Sequence, residues 1–139
     1  MSCVFCRIVT GEHPAEIVYQ DERVIAFLDI NPLNPGHTLV IPKSHVESLS
    51  ELPEALSGSL LTAAARVAKA AREALGAAGV NLVLNDGRAA GQAVPHLHLH
   101  VVPRFPGDGG RSFHSVLPVR RGLDLPEIAK KLRDGISQP

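Results

Sequence analysis

The chain has 139 residues, enough for one domain of ordinary size, and its 14 basic residues balance 14 acidic ones. Zero net charge argues against the net basic surface that non-specific nucleic-acid binding needs, but leaves room for a small anionic ligand in a locally polar cleft. No run reaches the ~20 apolar residues of a membrane helix, and the Val4-Phe5 pair is too short for a secretory segment, so a cytoplasmic protein with no membrane or nucleic-acid partner is expected.

The first motif along the chain is Cys3-x-x-Cys6. In a reducing compartment such a pair reads as metal ligands or a redox couple rather than a structural disulfide, and no βαβ pattern surrounds it to favour redox chemistry. Residues 17–19 and 24–28, joined by the polar turn 20–23, read as a β-hairpin. Residues 31–36 are dense in Asn, Pro and Gly and read as a loop. Residues 38–41 make a third strand, stopped by Pro42. A long helix follows, with Pro53 at its first position, Leu56, Leu60, Ala64, Val67, Ala71 and Leu75 at helical spacing, and Gly76 as its stop. Residues 80–84 form strand four, residues 85–95 a loop, and residues 97–102 strand five. Residues 103–107 break the pattern, and a short amphipathic helix is expected near residues 126–132. The sum is an α+β fold, a five-stranded antiparallel sheet covered by one long helix. One domain is expected over residues 1–139, with an N-terminal segment (1–10) and a C-terminal tail (112–139).

His96-Leu97-His98-Leu99-His100 is the most informative stretch. Side chains alternate along a strand, so the three imidazoles share one face at ~6.5 Å intervals while Leu97, Leu99 and Val101 share the other. Histidine titrates near neutrality and serves as base, acid, nucleophile or metal ligand. Two functions fit the row: a metal hydrolase with an activated water, or nucleophilic attack by a neutral imidazole. Spacing alone leaves both open, and leaves a non-catalytic binding module as a third reading.

The row, followed by Val101-Val102, resembles the signature of the histidine triad (HIT) superfamily. Phe5, Pro14-Ala15, Phe27-Leu28-Asp29-Ile30, Pro35-Gly36-His37, residues 39–43, Asn85 and Gly91-Gln92 fall in the order that superfamily uses, over nearly the whole chain. The pattern looks like a bacterial Hint-like nucleotide hydrolase or transferase, although Pro103-Arg104 is also seen in the fragile-histidine-triad-like branch.

The resemblance implies purine nucleotide conjugates as substrates and a nucleotidyl-histidine intermediate. On this pattern His98 attacks the α-phosphate, His100 contacts the phosphate and leaving group, and His37 orients the nucleophile. Asn85, Gly91, Gln92, Ala93 and Val94 match the phosphate loop; Asp29 matches the residue that receives the ribose hydroxyls. Phe5, Ile8, Phe27 and Ile30 match the base pocket. Ala93 is a departure, because Hint-type enzymes often carry there a serine that helps the leaving amine. Members with this cysteine pair imply structural zinc on Cys3, Cys6, His45 and His96, and the superfamily is usually homodimeric. His13 and His114 find no role and read as surface histidines.

Overall fold

The computed structural model describes residues 3–136. Strands β1 (Ile17–Gln20) and β2 (Val24–Leu28) form the expected hairpin, whose turn is closed by Asp21 Oδ1 accepting from the N–H groups of Arg23 and Val24 at 2.8 and 3.0 Å. Strand β3 (Thr38–Pro42) pairs with β2, β5 (Leu99–Arg104) with β3, and β4 (Gly79–Leu84) with β5. Every pairing is antiparallel, and the order across the sheet is β1-β2-β3-β5-β4. The expected five-stranded antiparallel α+β architecture is the one observed.

The central strands are covered on both faces, which explains their unbroken apolar runs. On one face Val24, Ala26, Val40 and Val101 pack against Leu60, Ala63, Ala64 and Val67 of helix α2 (Glu54–Leu75). The alanines leave little between helix and sheet, so the backbone of α2 can lie close. Gly76 ends α2 in the left-handed conformation at φ 76°, as expected, while Pro53 stands one position before the first helical residue. On the opposite face Ile25, Phe27, Leu39 and Ile41 pack against Phe5 and Ile8 of helix α1 (Val4–Val9). This helix was not anticipated. Six residues are too few to display a period, and its cap is the Cys3 thiol, which accepts from the Cys6 N–H at 3.4 Å.

Strand β5 runs over residues 99–104 rather than 97–102, and both shifts have a cause. Extending the β3–β5 register backwards would set Pro42 opposite Leu97, and proline has no N–H for the ladder. The Leu97 N–H instead donates to the Val46 carbonyl at 2.6 Å. At the other end Pro103 is paired only with β4. Its carbonyl, which points to the same side as its nitrogen, accepts from Asn34 Nδ2 at 3.0 Å, away from β4. Its missing N–H therefore interrupts nothing.

Gly36 joins the 31–36 loop to β3 with φ 86°, and a Cβ there would meet Leu75 Cδ1 at 2.6 Å and Pro103 Cγ at 3.2 Å. Gly36→Ala is expected to cost about 2 kcal/mol or more in urea unfolding, from the positive φ together with the clash. A cost below about 0.5 kcal/mol would show that the loop relaxes freely.

The chain divides into two compact units, Met1–Asp108 and Gly109–Pro139. Within the second, helix α3 (Leu125–Gly135) begins at Asp124, whose side chain accepts from the Glu127 N–H at 3.1 Å, and carries the ion pairs Lys130–Asp134 and Lys131–Glu127. Among the described residues no helix is long and apolar enough to cross a membrane.

Candidate active site

Register places the histidines. His100 stands opposite Leu39, on the α1 face, while Leu99 and Val101 lie opposite Val40 and Thr38 and face α2. His96 and His98 precede the strand, yet both are buried, and the Phe5 ring meets each edge-on at centroid distances of 5.8 and 5.3 Å. The three imidazoles thus reach the same side of the sheet, although only one of them is held there by the ladder.

His98 and His100 line a cavity of about 390 Å³, within the usual range for a small-molecule site. Its apolar part comes from Phe5, Ile8, Ala15, Phe27 and Leu39; its polar part from Asp29, Asn85, Gly91, Ala93, Val94 and the two histidines. Ile30 also lines it, from the exposed rim. Among the described residues the lining contains no lysine or arginine, so an anion bound here would be met by imidazole, asparagine and backbone donors.

Backbone contacts decide the tautomers. His98 Nδ1 lies 2.8 Å from the His96 carbonyl, an acceptor only, so Nδ1 carries the proton and Nε2 keeps its lone pair. The Leu33 N–H donates to His37 Nδ1 at 3.0 Å, which puts the His37 proton on Nε2. That nitrogen lies 2.9 Å from His100 Nδ1, which must then accept and carry its own proton on Nε2. One loop amide therefore sets two rings. Asp29 stands beside this pair, Oδ2 at 3.5 Å from His37 Nε2 and Oδ1 accepting from the Asn31 N–H at 2.8 Å.

Burial, reinforced by His98 and His37, lowers the His100 pKa to about 4. Burial also lowers His37, against the opposing pull of Asp29, and lowers His96. These rings are neutral at pH 7. Because the folded chain holds them below their unfolded values, the unfolded chain binds more protons between about pH 6.5 and pH 4, and stability falls as pH drops through that window. Thermal midpoints are expected to decline over it, and His100→Asn to flatten the decline; an equally steep decline in that variant would remove His100 as a cause.

The loop that the resemblance assigns to phosphate differs in detail from expectation. Gln92 does not line the cavity: its Oε1 accepts from the Gly87 N–H at 2.8 Å, and its Nε2 donates to the Glu47 and Val94 carbonyls at 2.8 and 3.1 Å. It braces the loop. The Gly91 and Gln92 amides are engaged too, with the Arg88 and Gly87 carbonyls. Among the described residues no hydrogen bond is recorded for the Ala93 and Val94 N–H groups, and both residues line the cavity. Gly91, at φ 96°, contributes the turn that brings them there. The sequence missed two polar lining residues, His13 and Asn31.

A second cluster lies beside the cavity. Cys3 Sγ is 3.4 Å from His96 Nδ1, and Cys6 Sγ is 3.3 Å from His45 Nδ1 and 3.6 Å from His96 Nδ1. The four donor atoms lie within 4.8 Å of one another. Zinc–sulfur and zinc–nitrogen bond lengths put the S–N edge of a zinc tetrahedron at about 3.6 Å, so this donor set fits that ion. The ring orientations agree, since His96 Nε2–H donates to the Pro42 carbonyl at 2.9 Å and His45 Nε2 faces Glu47 Oε1 at 3.4 Å, which leaves both Nδ1 atoms to act as ligands. Asp29, His37 and His100 also converge closely enough for a metal. There, however, the Leu33 N–H keeps the proton on the His37 nitrogen that would have to ligate.

The HIT domain family model matches residues 10–107. An uncharacterized HIT-like protein of Methanocaldococcus jannaschii is 44% identical over 132 residues, covering 94% of this chain and 98% of its own. The adenylylsulfatase HINT3 of Arabidopsis thaliana is 40% identical over 102 residues, covering 73% of this chain and 52% of its own. The crystal structure of a zinc-bound histidine triad family protein from Mycobacterium smegmatis superposes with a TM-score of 0.77 at 47% identity, covering 96% of this chain and 92% of that one. With the alternating histidines, the five-stranded sheet beside them and these relatives in agreement, the chain belongs to the HIT family.

Proposed function

We infer that the chain is a nucleotide hydrolase or nucleotidyl transferase acting at the α-phosphate of purine nucleotide conjugates, through a nucleotidyl-His98 intermediate. The observation that carries this reading is the 2.8 Å bond from His98 Nδ1–H to the His96 carbonyl, which leaves a lone pair on Nε2 of a ring lining the cavity. In the first step His98 Nε2 forms a bond to phosphorus, and the bond from phosphorus to the leaving group breaks. His100 Nε2–H donates a hydrogen bond to the departing atom, which takes its proton from solvent, and the His96 carbonyl stabilises the cationic His98 ring that results. In the second step water attacks phosphorus, the P–N bond breaks and returns its electron pair to His98 Nε2, and the water proton passes to solvent. Asn85 and the Ala93 and Val94 amides meet the phosphoryl oxygens, and Asp29 receives the ribose hydroxyls. The adenylylsulfatase relative supports an adenylyl conjugate as one substrate. Nucleoside phosphoramidates and dinucleoside polyphosphates belong to the same class, with Ala93 offering no hydroxyl to a leaving amine.

Structural zinc on Cys3, Cys6, His45 and His96 completes the reading, supported by the donor geometry and the zinc-bound relative. Such a closed Cys₂His₂ site contributes folding free energy and takes no part in the chemistry. A hydrolase that used the triad itself as zinc ligands is disfavoured, because His96 belongs to the cysteine cluster and the His37 ligand atom is protonated.

The test is acid-free quenching of the enzyme with a panel of adenylyl phosphoramidate, adenylyl sulfate and diadenosine polyphosphates, followed by peptide mass spectrometry. An adenylyl group on His98 is expected with at least one of them. Turnover without any adduct on the chain would overturn the covalent route.

A further inference from the structure

We propose that His13 is a specificity-determining residue that reads the hydrogen-bonding edge of the nucleobase; this rests on the nucleotide reading above. His13 lines the same cavity as His98 and His100, and it is half-buried between exposed Glu12 and Pro14. Its place is fixed. The His13 N–H donates to the Arg7 carbonyl at 3.1 Å, tying it to the end of α1, and Ala15, two residues on, packs against the Phe5, Ile8, Phe27 and Leu39 cluster.

That cluster gives the cavity its apolar part, which suits the flat faces of a base and offers it no hydrogen bond. The side chains in the lining that can form hydrogen bonds are His13, Asp29, Asn31, Asn85, His98 and His100. Asn85, His98 and His100 serve the phosphoryl group in this reading, and Asp29 the ribose. Of the two that remain, Asn31 is exposed on the rim and only His13 is partly enclosed. Among the described residues its imidazole has no hydrogen-bond partner, so its donor and acceptor nitrogens are both available to a ligand. A neutral imidazole presents one N–H and one lone pair, and a purine edge presents neighbouring donors and acceptors to match. An apolar residue there would hold any base by stacking alone. A site that hydrogen-bonds its substrate rejects a base with the wrong pattern, because mismatched polar groups are left buried and unpaired.

The experiment measures dissociation constants of AMP, GMP, IMP and ribose 5-phosphate for the wild-type chain, His13→Leu and His13→Gln, by titration calorimetry. For the preferred purine, His13→Leu is expected to weaken binding about three- to tenfold, the worth of one neutral hydrogen bond. The spread among bases should narrow while ribose 5-phosphate is unchanged. His13→Gln, with an amide donor and acceptor, should recover most of the spread. An unchanged spread in His13→Leu overturns the proposal, and so does equal weakening of all four ligands, which would mark a structural role. Equal wild-type affinity for all three bases also overturns it. If the wild-type chain binds none of the four, the nucleotide reading itself has failed and the proposal goes with it. Unaltered thermal midpoints in both variants establish that they are folded.

Discussion

Replacing His98 by alanine is expected to lower turnover by about 10⁴-fold or more while leaving nucleotide affinity and metal content near their wild-type values. The size follows from the chemistry. His100, the neighbouring ring, cannot stand in as nucleophile, because its nitrogen that could attack is protonated in the relay from Leu33 through His37. What remains is a water molecule attacking a bound phosphoryl group with only the loop amides and Asn85 to help. The fold should tolerate the change, since the His98 ring packs edge-on against Phe5 and bonds only to the adjacent backbone. Two results would be decisive against the covalent reading. Full activity in the variant would remove His98 from the chemistry, and loss of metal with it would restore the zinc-hydrolase alternative.

The second large effect concerns the cysteine cluster. Cys3→Ser with Cys6→Ser is expected to reduce bound zinc from one equivalent per chain to almost none and to lower the thermal midpoint by about 10 °C, as loss of a tightly bound native-state ligand does. Serine at position 3 keeps an oxygen that can cap α1 as the thiol does, so the loss reports the ligands rather than the cap. A chelator should produce the same shift in the wild-type chain and none in the double variant. Wild-type protein that purifies without metal, and melts identically to the double variant, would sink the zinc assignment.

Much of this molecule was legible in its residues. The hairpin, β3, α2 and its glycine stop all leave local signals, either β-rich runs between turn residues or an apolar stripe of helical period. The grouping of Cys3 and Cys6 with His45 and His96 follows only from the resemblance, and in the fold their ligand atoms do come together. Other features depend on partners distant in sequence. The true start of β5 is set by Pro42 on another strand, and Pro103 escapes its usual role as a breaker only because its open side faces Asn34. Helix α1 is too short to announce itself. Gln92 reads as a phosphate donor until the Gly87, Glu47 and Val94 backbone groups around it are seen. His13 gave no signal at all, since nothing in an isolated histidine before Pro14 says that it borders a cavity formed by α1, β2 and β5.

His96 presents its ring to the cysteine cluster and its carbonyl to His98, so one residue is shared by the two sites. A shift of the His96 main chain with the occupancy of the cluster would move the acceptor that fixes the His98 tautomer, two residues away. Equilibrium then imposes reciprocity: by whatever factor a metal in the cluster tightens nucleotide binding, nucleotide in the cavity must tighten metal binding by the same factor. Whatever coupling the cysteine cluster and the cavity have would run through the one residue that touches both, His96.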